Sequence, residues 1–143
     1  MDKKLLLKTI IVLAVIGVLL SIYSSYHHFS KLEGVCNVND TFSCDIVNRS
    51  LYSEIYGIPV AFMGFVGYFT LIMVTMSLMK NNNKVIARLL FILAFIGFLF
   101  TGYLTYIEAF KLYTYCLVCI SSALLITIIF VISIVLLRKY NKE

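Results

Sequence analysis

Uncharged stretches long enough to cross a bilayer alternate with short polar segments along this chain. They run approximately from Thr9 to Tyr26, Ile58 to Met79, Leu89 to Ile107 and Tyr115 to Leu137. A helix rises about 1.5 Å per residue, so runs of this length cover the roughly 30 Å of a hydrocarbon core. The polar remainder predicts the connections: a long loop from about His27 to Gly57, a short connector from Lys80 to Arg88 and a tight turn from Glu108 to Thr114. Four spans place both termini on one side. The expected fold is an all-α integral membrane protein, a four-transmembrane-helix bundle with a long external loop between helices 1 and 2, forming a single domain over 1–143.

Composition supports this reading. Of 143 residues, 62% are hydrophobic, with one proline and no tryptophan, which is too apolar for a water-soluble domain of this size. Gly17, Gly64, Gly67, Gly97 and Gly102, with Ala61 and Ala94, are small residues that let helices approach closely. Asn81, Asn82 and Asn83 carry turn chemistry where the chain must reverse. No Asp, Glu, Lys or Arg falls mid-span, which argues against a proton or ion pathway.

Charge sets an orientation. Lys3, Lys4, Lys8, Lys80, Lys84, Arg88, Arg138, Lys139 and Lys142 fall on one side, against Lys31, Arg49 and Lys111 on the other. The first side is therefore expected to be cytoplasmic. Glu33, Asp40, Asp45, Glu54 and Glu108 fall outside, and Asp2 and Glu143 inside. The net charge of +5 is thus explained by topology and does not point to nucleic acid. The first span also has the basic start and the small residues Ser24 and Ser25 of a signal peptide, but its apolar run is longer than a typical signal core. Many of the tyrosines, among them Tyr23, Tyr26, Tyr52, Tyr56, Tyr106, Tyr113 and Tyr115, cluster at the outer boundary as an aromatic belt.

The candidate chemistry lies in the cysteines. Cys36 and Cys44 occupy the outer loop, while Cys116-Leu-Val-Cys119 opens the last span, so all four are expected at the extracytoplasmic side, where disulfides persist. Two pairs brought together are able to relay two electrons by thiol-disulfide exchange. Cysteines three apart share a helix face. With Thr114 as N-cap, Cys116 would fall in the first turn, where the helix dipole favours a thiolate. Cys119 lies one turn deeper, within reach of a lipid-soluble two-electron oxidant such as a quinone. The rival readings are structural disulfides that staple the loops and a four-cysteine zinc site. Zinc fits poorly, because one pair sits at the membrane interface and no His completes a ligand spacing. Tandem His27-His28 invites a ligand reading, but interfacial histidines are commonly amphipathic.

These residues resemble the bacterial homologues of vitamin K epoxide reductase. The resemblance runs from about Gly17 to Leu137: Ser21-Ile22-Tyr23, then Cys36 and Cys44, Ser50, Gly57-Ile58-Pro59-Val60-Ala61 through Gly64 and Tyr68, Tyr103 through Ala109, and Cys116 to Cys119. The loop pair precedes the CxxC, which separates this pattern from the DsbB-type quinone reductase, where the order is reversed. The resemblance implies that Cys36 exchanges with a thioredoxin-fold partner, Cys44 passes electrons to Cys116, and Cys119 faces the quinone, with Ser50 shaping or hydrogen-bonding the site. Many bacterial members carry a fused thioredoxin-like domain; here the expected partner is a separate DsbA-like protein. Ala123 stands where vertebrate members have a tyrosine, and Val60 near a position where they have an asparagine. Those two residues, with Ser50 and Cys119, are the expected quinone contacts.

The expected function is a membrane thiol oxidase that reoxidises an extracytoplasmic DsbA-like carrier and delivers its electrons to ubiquinone or menaquinone in a multi-pass membrane protein with cytoplasmic termini. The alternatives are reduction of a vitamin K-type quinone or epoxide, and a non-catalytic membrane protein with structural disulfides.

Overall fold

The computed structural model describes residues 2–30 and 36–143. Lys31 and Glu33, counted in the charge balance above, lie outside the described residues. In chain order the elements are α1 (Lys3–Ser30), α2 (Cys44–Asn48), β1 (Glu54–Ile55), β2 (Ile58–Pro59), α3 (Val60–Asn81), α4 (Lys84–Ile107), a π-helical turn (Glu108–Leu112) and α5 (Leu117–Lys142). The helices α1, α3, α4 with its π turn, and α5 are each long and apolar enough to cross a membrane. The chain is a multi-pass membrane bundle.

Helix α1 packs chiefly on α3, and α4 on α5, with α1 also touching α5. A lipid solvent gives no hydrophobic drive to bring helices together, so close packing must do it. Accordingly Ala14 and Ala94 are fully buried, Gly64 lies against Ser21, Gly97 against Ile126, and Gly17 directly under the Tyr68 ring. Leu6, Ile10, Leu78, Leu90, Ile129 and Leu136 fill the inner half of the bundle. Val12, Leu19, Phe69, Ile96 and Leu124 point outward, as residues facing acyl chains do.

The inner connector is shorter than expected: Lys80 and Asn81 belong to α3 and Lys84 to Arg88 to α4, so the turn chemistry falls on Asn82 and Asn83. Asn82 ends α3 in the left-handed conformation, and Asn83 caps α4 by accepting the Val85 N–H at 2.9 Å. Asn82 also accepts the Tyr140 hydroxyl at 2.7 Å, tying α5 to this end. Lys3 and Glu143 form an ion pair, so both termini share that end with the connector.

Two more expectations need correction. Helix α1 continues through His27 and His28, which were assigned to the loop, because leaving the hydrocarbon gives the backbone no reason to stop pairing. Tyr23, Tyr26 and His27 pack as rings along the extra turns. The segment from Glu108 to Leu112, expected as a tight turn, extends α4 as a π turn, since Glu, Ala, Lys and Leu all favour helix. The reversal comes later, at Tyr113, whose φ is 51°.

The outer loop is folded. Its β1-β2 ribbon is closed by Tyr56 and Gly57, both at positive φ, as a two-residue hairpin requires. Ser53 anchors the ribbon to α3 by accepting the Val60 N–H at 2.8 Å.

Candidate active site

Ser43 caps the short helix α2, its hydroxyl accepting the Ile46 N–H at 3.4 Å and donating to Asn37 Oδ1 at 2.9 Å. Asn37 Nδ2 donates in turn to Asp45 Oδ2 at 2.6 Å. This polar knot places Cys44 at the start of α2, where it is buried and disulfide-bonded to Cys36, with a Cα separation of 5.8 Å. Cys36 is the more accessible of the two.

On the other side of the site, the chain before α5 is extended rather than helical. Thr114 is buried, its hydroxyl donating to the Asp40 carbonyl at 3.4 Å. Tyr115 donates its N–H to the Thr41 carbonyl at 2.8 Å and accepts the Ser43 N–H at 3.1 Å. This pairing corrects the expectation of a Thr114 N-cap: the helix cannot begin while Tyr115 is paired with the loop. Cys116 is the N-cap itself, and its sulfur accepts the Cys119 N–H at 3.4 Å.

The same pairing brings the two cysteine pairs together. Cys116 Sγ lies 3.2 Å from Cys44 Sγ, with both residues buried. Cys116 and Cys119 are free thiols, whereas Cys36 and Cys44 are bonded. The Cys116 thiol is held below its ordinary pKa, first by the hydrogen bond from the Cys119 side chain, then by the Cys119 and Val118 N–H groups; burial and the Glu108 carboxylate oppose this. A thiolate at a helix N-terminus is the reactive form for exchange.

Glu108 is the site residue whose importance the sequence did not announce. Only 3% exposed, it accepts the Cys116 N–H at 3.3 Å through Oε2 and lines the same cavity as Cys119. Burial of a carboxylate is costly without such partners. It occurs at the first residue of the π turn, a geometry found frequently at functional sites.

Below the cysteines lies a largely apolar cavity of about 390 Å³, whose walls include Cys119, Glu108, Tyr68, Ser122, Ser50 and Val60. The Tyr68 hydroxyl donates to the Ser122 carbonyl at 2.8 Å, which fixes that wall. His28 lies at the loop side of the cavity, hydrogen-bonded through Nδ1 to the Asn48 carbonyl at 2.8 Å and through Nε2 to Glu54 at 2.9 Å. Its role is to tie α1 to the outer loop.

The structure therefore gathers all four cysteines at one end of the bundle and puts Cys119, Ser50 and Val60 on the cavity wall. The Ser50 hydroxyl donates to the Val47 carbonyl at 2.8 Å, terminating α2. Ala123 does not line the cavity; Val118, Cys119, Ser122 and Ile126 define the face of α5 that does. Among the described residues, no group of three or more His, Cys, Asp or Glu side chains is placed to hold a metal ion.

Residues 8–134 match the model of the vitamin K epoxide reductase family. The chain belongs to this family. No curated protein gives a significant match. Membership makes the chain an integral membrane oxidoreductase, from a family that generally works with thioredoxin-like partners and uses quinones. The cavity fits such a group: an apolar chamber in which the Cys119 sulfur, the Tyr68 hydroxyl and the Ser122 hydroxyl supply a few convergent polar atoms.

Proposed function

We propose that the protein is a membrane thiol oxidase that reoxidises a DsbA-like, thioredoxin-fold carrier outside the cytoplasm and passes the electrons to a membrane quinone. The observation that carries this reading is the 3.2 Å approach of Cys44 Sγ to Cys116 Sγ, in a protein whose Cys119 lines an apolar cavity.

The four cysteines act in order. Cys36, the more accessible sulfur, takes the carrier's attack, and Cys44 is released as a thiolate. Cys44 attacks Cys116 in the inner disulfide, forming the Cys44–Cys116 bond and releasing Cys119. The carrier's second thiolate resolves its mixed disulfide with Cys36, leaving as the oxidised carrier, and the freed Cys36 attacks Cys44 in the Cys44–Cys116 bond, re-forming the outer disulfide and leaving Cys116 and Cys119 reduced, the arrangement in which the loop pair is bonded and the inner pair free. Bound quinone supplies the two-electron sink that allows the inner disulfide to re-form. The chain's residues hold Cys119 at the cavity wall and bury the exchange away from competing thiols. The charge bias supports a reading with the termini in the cytoplasm and the cysteines outside, where a carrier operates.

The test is to trap the middle step. With Cys36→Ala and Cys119→Ala combined, the remaining Cys44 and Cys116 should oxidise to an intramolecular disulfide, detected by mass after alkylation. Two free thiols under the same oxidant would overturn the relay.

A further inference from the structure

Two groups at the site are able to take the Cys119 proton: the Cys116 sulfur, which accepts the Cys119 N–H at 3.4 Å, and the Glu108 carboxylate, which accepts the Cys116 N–H at 3.3 Å and lines the same cavity as Cys119. The first acceptor is consumed when the inner disulfide forms, because the Cys116 electron pair then becomes the S–S bond. A proton left on a sulfur that is being oxidised must go elsewhere. Glu108 is the remaining base at the site, is 3% exposed, and shares the cavity wall with Cys119. A carboxylate and a thiolate buried at one site repel one another, so loss of the Cys119 proton favours its capture by Glu108 over a doubly charged pair. The other titratable groups on the cavity wall are His28, engaged with Asn48 and Glu54, Tyr68, whose hydroxyl is bonded to Ser122, and Tyr52; Cys116 stands beside Cys119.

We propose that Glu108 is a catalytic base for the inner dithiol, taking the Cys119 proton during oxidation and returning it to the reduced acceptor. The inference rests on the reading that a quinone is that acceptor. The step balances as follows. Cys116 enters as a thiolate, its proton already lost to external water. The Cys119 S–H bond breaks and an O–H bond forms on Glu108. The Cys116–Cys119 bond forms, and two electrons pass to the quinone. The acceptor takes up two protons in becoming a hydroquinone, one from Glu108 and one from solvent. Glu108 ends as the carboxylate, free to accept the Cys116 N–H again, as it does in the structure.

The test separates two half-reactions in the full-length protein in detergent, without oxygen. In the first, fully oxidised protein without quinone receives electrons from reduced DsbA, and alkylation with mass detection follows the arrival of thiols at Cys116 and Cys119. In the second, protein reduced in advance meets menadione, and absorbance follows quinone loss. Glu108→Gln keeps the shape and the acceptor for the Cys116 N–H but removes the base. It should slow the second half-reaction by about 10²-fold or more and the first by much less, while Glu108→Asp restores part of the loss. A second readout needs no quinone. The infrared difference spectrum between dithiothreitol-reduced and oxidised protein should contain a carboxylate stretch, shifted by the change of state of the neighbouring sulfurs, that vanishes in Glu108→Gln. Equal slowing of both half-reactions, no slowing of the second, or an infrared difference indifferent to the substitution would each overturn the role of Glu108. Failure of wild-type reduced protein to consume menadione would instead contradict the quinone reading on which it rests.

Discussion

Tyr115 runs alongside Phe42 in a parallel bridge, and this pairing brings Cys116, the residue after Tyr115, to sulfur contact with Cys44, two residues after Phe42. The loop and the last helix are thus registered by backbone hydrogen bonds, which hold sulfurs 72 positions apart in the chain at 3.2 Å. Tyr115→Pro removes the N–H that donates to the Thr41 carbonyl. A typical net loss of about 0.5–1.5 kcal/mol should slow exchange between the two cysteine pairs roughly 2- to 10-fold. Rapid-quench alkylation measures that rate, with helical circular dichroism expected to stay unchanged; exchange at the wild-type rate would show that the bridge does not set the approach.

The depressed pKa of Cys116 has a definite pH signature. Because the hydrogen bond from the Cys119 side chain favours its thiolate, Cys116 should react with iodoacetamide well below the pH at which an ordinary thiol slows, losing reactivity only as pH falls through its lowered pKa. The linked stability follows the same sign: present above the unfolded-state pKa and lost on acidification through the folded one. Cys119→Ala removes the leading cause, so the alkylation profile of Cys116 should move to higher pH. A profile that stays in place would assign the effect to the helix terminus alone.

Gly17 and Tyr68 fit together without spare room. A Cβ at Gly17 would lie 2.5 Å from the Tyr68 ring, so Gly17→Ala must displace the ring and strain its hydroxyl bond to Ser122. Overpacking of this kind costs about 1–3 kcal/mol. Thermal unfolding in detergent should fall accordingly, and adding Tyr68→Leu should recover part of the loss, a coupling that a double-mutant cycle reads directly. Simple additivity of the two substitutions would place the strain elsewhere.

Much of this architecture was legible from charge-free runs, because a bilayer demands helices of defined length and the asparagines mark where two of them turn. The cysteines were legible as well, since their residue type limits their chemistry. Glu108 was harder to read: it stood in the resembling motif, but its burial depends on a π turn, whose altered phase no helical periodicity forecasts. The N-cap of α5 is Cys116 rather than Thr114, set by a competing partner, the Thr41–Ser43 backbone, that lies far away in sequence. Ala123 shows the same limit of phase: four residues after Cys119 it is near the right face, yet the cavity follows Val118, Ser122 and Ile126. The tie from His28 to Asn48 and Glu54 joins a helix to a loop and likewise leaves no local pattern.

The most direct test of the account is anaerobic turnover. Purified protein in detergent is mixed with menadione and reduced DsbA, and quinone absorbance is followed for wild type and Cys119→Ala. Carrier-dependent loss of quinone that disappears in the variant is the predicted result. Quinone loss that persists without Cys119, or no carrier-dependent loss in the wild type, would contradict a thiol oxidase that delivers its electrons through this cysteine.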